Sequence, residues 1–121
     1  MGGSMHALFI ILNKTDYLED VLAKFVELQI EGATIIDSQG MASAIVHGSI
    51  DNIPILGSLK SLLGGSNPYN KTIFTVIDGE DESLRVVMDE IKQLLKSTNE
   101  TPIGFMFTVP VDHVIRLDNQ N

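Results

Sequence analysis

The run His6–Leu12 (HALFIIL) is apolar at both parities: Leu8, Ile10 and Leu12 on one, Ala7, Phe9 and Ile11 on the other. Successive strand side chains point to opposite faces, so this segment reads as a central strand with cover required on both sides of its sheet. The rest of the chain therefore has to supply two layers.

Amphipathic helices supply one of them. Leu18, Val21, Leu22, Phe25, Val26 and Leu28 recur at helical spacing, with Glu19, Asp20, Lys24 and Glu27 between them. Asn13, Lys14, Thr15 and Asp16 offer polar caps for this helix, and Gly32 offers a stop. A second set, Leu84, Val87, Met88, Ile91, Leu94 and Leu95, predicts another helix beginning near Asp81, Glu82 or Ser83. Strands are expected over 33–39, 71–77 and 103–109, with Pro110 ending the last.

The resulting order is β-α-β-β-α-β, an α+β fold of the ferredoxin-like split βαβ kind. Two helices cover one sheet face only. The other face, also apolar, is expected to pack against further copies of the chain, giving a homo-oligomer.

The connection between the second and third strands, Gly40 to Asn70, is thirty-one residues long. That exceeds what two neighbouring strands need and points to function. It carries Ile55, Leu56, Leu59, Leu62 and Leu63 at helical spacing, between Pro54 and the pair Gly64-Gly65. A short amphipathic helix is predicted there. It either packs on its own subunit or docks on a partner, and Tyr69 near the end of the connection is grouped with it as partner-binding.

Composition closes several classes. With 121 residues, 44% of them apolar, the chain is long enough for one core. Met1–Ser4 reads as a cloning remnant, 5–118 as a single domain and 119–121 as a tail. The net charge of −8 leaves no basic face for nucleic acid. There is no cysteine, hence no disulfide, thiol nucleophile or thiolate metal site. The longest apolar run, Ala7–Leu12, is too short to span a bilayer, and no basic and apolar leader is evident, so a cytoplasmic location without membrane insertion is expected.

Catalytic and metal motifs are not found. His6, His47 and His113 form no H-x-x-x-H pair, although one histidine per subunit could meet at the axis of a trimer. The acidic run Asp78, Glu80, Asp81, Glu82 lacks the spacing of a calcium loop and reads as a helix start. Gly64-Gly65-Ser66-Asn67 has no G-K-[ST] after it and reads as a turn, and no serine sits in G-x-S-x-G. No catalytic residue and no metal ligand is assigned.

Two segments resemble a known family. Ile30-Glu31-Gly32-Ala33-Thr34 through Gly40 is similar to the I-E-G-M-T-V-x-x-x-x-G of the P-II signalling proteins. Phe107-Thr108-Val109-Pro110-Val111-Asp112-His113-Val114-Ile115-Arg116 is similar to that family's I-F-V-x-P-V-E-E-V-I-R-I-R. The resemblance spans almost the whole chain outside the long connection, which falls where the family carries its T-loop. It implies a trimeric, non-enzymatic regulatory protein of the P-II-like (GlnB-like) superfamily, associated with nitrogen regulation. Ligands would bind in clefts between subunits, and the loop would dock on an enzyme or membrane transporter. Gly40, Met41, Gly104, Phe105 and Arg116 are the cleft residues it implies.

The family's ATP-gripping groups are not matched. Its T-G-x-x-G-D-G-K aligns with Thr98–Phe105, which puts Phe105 at the lysine and Glu100 beside the phosphates. Its two tail arginines align with Arg116 and Asp118, and its Mg²⁺-coordinating glutamine with Ala44. An anionic triphosphate would meet an acidic, glycine-poor cleft, so family-type Mg-ATP binding is not expected and no cofactor is assigned. The T-loop tyrosine modification of the family is not carried to Tyr69, whose neighbours differ. A CutA-like structural or metal-binding trimer and a small ferredoxin-like enzyme stay open as alternatives.

Overall fold

The first apolar run becomes the strand around which the sheet is built. The computed structural model describes residues 4–41, 44, 69–96 and 103–118. Strand β1 (Ser4–Leu12) pairs antiparallel with β3 (Asn70–Gly79) on one side and with β4 (Gly104–Val111) on the other. Strand β2 (Thr34–Ser38) pairs antiparallel with the outer side of β3, giving the order β2-β3-β1-β4. Helices α1 (Leu18–Glu27) and α2 (Asp81–Lys96) complete the ferredoxin-like β-α-β-β-α-β order.

Both helices lie on one face. Leu8, Ile10 and Leu12 of β1 and Ile73 of β3 form the sheet side of the core, and Val21, Phe25, Val87 and Ile91 form its helix side. Fully burying each such side chain is worth about 1.5–3 kcal/mol. Thr75 is the one buried polar residue among the described ones, and its hydroxyl donates to the carbonyl of Gly32, tying β3 to the connection after α1. Lys24 on α1 bridges to Glu90 on α2 at 3.4 Å and to Glu27 at 3.3 Å. Those carboxylates raise the Lys24 ammonium above the ordinary lysine value, the Glu27 hydrogen bond most of all, against a smaller opposing effect of burial.

Several element ends differ from the sequence expectation, each for a local reason. β1 starts at Ser4, not His6, because β3 is long enough to pair with it through Gly79. No polar side chain caps α1. A 3-10 turn at Thr15–Tyr17 leads into the helix, and the Asn13 and Lys14 amides donate to the Ile103 carbonyl at 2.7 and 3.2 Å. Nor does Gly32 stop α1. Gln29 does, in the left-handed region at φ 66°. The Ile30 amide then donates to Phe25 O and the Gln29 amide to Val26 O, the double closure of a Schellman turn. α2, by contrast, begins at Asp81, one of the expected starts, with Asp81 and Glu82 facing the positive end of the helix dipole. Pro110 does not end β4. It pairs with His6, and β4 runs on to Val111. β4 is an edge strand, where a missing amide need not break a ladder.

Candidate functional site

Two surfaces carry the functional candidates: one end of the sheet and the sheet face opposite α1 and α2, which is free of helices among the described residues. The end is where β1 and β2 finish and β3 and β4 start. Ser38 at the end of β2 is opposite Asn70 at the start of β3. The Ser38 hydroxyl reaches Thr72 Oγ1 at 2.8 Å and makes a short contact with Asn70 Oδ1, while Asn70 Nδ2 donates to Asn13 Oδ1 at 3.5 Å. An Asp37–Lys71 ion pair lies beside them. This polar clasp holds together the two points from which the long connection leaves and returns.

Gly104 sits at the same end on the opposite edge. It pairs with Leu12, and a Cβ built on it would run into the Ile11 carbonyl oxygen. Here glycine is required by the close approach of β4 to β1. Phe105 follows it, 61% exposed, with its ring 6.1 Å from that of Phe107.

The five cleft candidates are not gathered within one chain. Gly40 and Met41 follow β2, and Gly104 and Phe105 open β4. The order β2-β3-β1-β4 sets these pairs three strand spacings apart, about 14 Å. Arg116 follows the other end of β4, five residues after Val111, and Val111 is about 24 Å along the strand from Gly104. Of the loop candidates, Tyr69 is 59% exposed next to β3. Ile55, Leu56, Leu59, Leu62 and Leu63 lie outside the described residues, as does His47.

The helix-free face was only partly anticipated. Phe9 is opposite Phe74 on one side and Phe107 on the other, and all three point away from the helices. Their centroids are 5.4 and 5.0 Å apart, with Phe105 continuing the row. Four of the chain's five phenylalanines are thus on this face. Val109, Val76 and Ile36 flank them at 41–46% exposure. Phe105, Phe107 and Val109 alternate along β4 and so share one face. The row with Phe9 and Phe74 needed the strand register. The clasp of Asn13, Ser38, Asn70 and Thr72 had no sequence signal, since each residue type is ordinary at a strand end.

Among the described residues no three His, Cys, Asp or Glu side chains lie close enough to hold a metal ion, and no helix is long and apolar enough to cross a membrane.

No protein-family model and no curated protein matches this sequence. The fold is that of the P-II class: it is similar to the crystal structure of Arabidopsis thaliana PII bound to citrate, with a TM-score of 0.61. The match covers 95% of this chain and 84% of that one at 17% identity. The likeness is one of architecture, a P-II-like ferredoxin sandwich.

Proposed function

We propose that the chain is a non-enzymatic regulatory subunit of P-II type, a cytoplasmic homotrimer that acts by docking its 40–70 connection on a target enzyme or membrane transporter. The aromatic row of Phe9, Phe74, Phe105 and Phe107 is the observation that carries this reading. A stacked, half-exposed apolar surface of this size on one side of a sheet needs a partner of equal hydrophobicity, and another copy of the same face provides it. The P-II-like architecture agrees with such an assembly.

Trimerisation also gives the scattered cleft residues a common location. The β2 edge of one subunit, with Gly40 and Met41, would meet the β4 edge of the next, with Gly104 and Phe105, and Arg116 would enter from a tail. Such a cleft takes a ligand less phosphorylated than ATP. Phe105 in place of a lysine, Ala44 in place of a glutamine and Asp118 in place of an arginine remove the charges that a Mg-ATP grip needs.

Light scattering at micromolar concentration is expected to give the mass of three chains; a stable single-chain mass overturns the assembly. Calorimetric titration with Mg-ATP is expected to show no heat up to about millimolar, where binding is worth only about 4 kcal/mol. The double change Leu59→Asp plus Leu63→Asp tests the connection. It is expected to abolish target capture at unchanged melting temperature. A lower melting temperature instead makes the segment part of its own subunit's packing.

A further inference from the structure

A pocket of about 260 Å³, open to solvent on one side, lies within one chain between the last two turns of α2 and the start of β4. Its walls are apolar: Ile91, Leu95, Ile103 and Met106, with Gly104 and Phe105 at the start of β4. Lys92 and Lys96 also line it, one helical turn apart. Both lysines are exposed, and among the described residues neither has an acidic partner.

This combination is selective. Apolar walls with a few polar groups at one side are what small-molecule sites look like. The chain is acidic overall, at −8, yet the polar groups here are two cations. They outweigh the negative end of the α2 dipole, equivalent to roughly half a charge. The volume holds about nine water-sized groups at ~30 Å³ each, which is too small for a two-chain lipid and sufficient for one short aliphatic chain.

We propose that this cavity binds a short aliphatic anion, a free carboxylate of about eight carbons, with its chain against Ile91, Leu95 and Met106 and its head between Lys92 and Lys96. All of this lining comes from one chain; Gly104 and Phe105 also border the proposed inter-subunit cleft, so the contacts that distinguish this site are Ile91, Leu95 and Met106. Lysine stems often just shield apolar surface while the ammonium stays in water; in that case the cavity has no preference for an anion, and the experiment below separates the two.

Octanoate is titrated into the full chain and followed by calorimetry and by methyl NMR. Saturable binding with a dissociation constant near ~0.1 mM is expected for a ligand of ten heavy atoms. The shifts should fall on Ile91, Leu95 and Met106. The surface variant Lys92→Gln plus Lys96→Gln should weaken octanoate about tenfold, and octan-1-ol should bind the unaltered protein about tenfold more weakly than octanoate. Absence of saturation below about 5 mM overturns the proposal. So does equal binding of the alcohol, indifference to the lysine variant, or shifts on Val76 and Val109 of the helix-free face. Retention on phosphatidylglycerol vesicles without binding of free octanoate also overturns it, since the lysines would then serve a membrane headgroup.

Discussion

The rings of Phe9 and Phe107 lie 5° from parallel with centroids 5.0 Å apart, on neighbouring strands of the sheet face opposite α1 and α2. Such a pair adds about 0.5–1.5 kcal/mol beyond area burial, and it fixes both rings before any partner arrives. A preordered apolar surface loses little side-chain entropy on association, which favours assembly through this face.

Phe107→Asp is therefore expected to dissociate the proposed trimer while each chain stays folded. Phe107 is already 41% exposed within one chain, so its loss leaves the helix-side core intact. Losing one buried phenylalanine per subunit, about 1.5–3 kcal/mol each, should raise the dissociation constant by at least tenfold. Light scattering reads the mass and circular dichroism the fold. Trimer mass retained by the variant would place the interface elsewhere.

Gln29→Gly should stabilise the protein. Left-handed backbone disfavours an ordinary side chain by roughly 1–2 kcal/mol, and part of that relief is offset by the greater freedom of glycine in the unfolded chain. The net expectation is about 0.5–1 kcal/mol, read as a higher urea midpoint at unchanged slope. A lower midpoint would mean that Gln29 makes compensating contacts of its own.

Gly104→Ala should do the reverse. The added methyl meets the Ile11 carbonyl oxygen, so β4 must shift away from β1. A loss of about 1–3 kcal/mol is expected. Gly32→Ala is the matched control, because a Cβ there has nothing within 4 Å. Equal effects from the two changes would rule out the close approach as the cause.

The helix–helix ion pair predicts a pH dependence. The Lys24 ammonium titrates above its ordinary value in the folded chain. Its contribution is then full below the unfolded lysine value, roughly 10.4, and fades as pH rises through the higher folded value. Comparing the native chain with Lys24→Met, the difference in urea midpoint should be steady between about pH 7 and 9 and shrink above about pH 10.4. A difference that grows with alkalinity would contradict the assignment.

How much could be read in advance differs by residue. The two-sided apolarity of Ala7–Leu12 called for a central strand, and β1, paired with β3 on one side and β4 on the other, is that strand. The helical spacing of Val21, Phe25, Val87 and Ile91 located the core, because periodicity records burial directly. Ends were less legible. Gln29 in a left-handed turn and Pro110 inside a strand both run against local preference, and only neighbouring backbone accounts for them. Gly104 was singled out only as a cleft residue, not as a glycine that the strand pairing requires. Its requirement comes from Ile11, more than ninety positions away, and spacing within a segment carries no such information. The cavity bounded by Ile91 and Met106 was wholly out of reach, since it is a property of how two surfaces fail to meet.

The clasp of Ser38, Asn70 and Thr72 has a consequence for how this fold can change over time. The chain leaves and re-enters the sheet at two adjacent, mutually fastened points, so the frame is indifferent to how far it travels in between. Doubling the length of a flexible loop adds only about 0.6 kcal/mol of closure entropy. The insertion is in that sense an exchangeable cassette. Descendants could lengthen, shorten or replace it while the strands beneath keep their register.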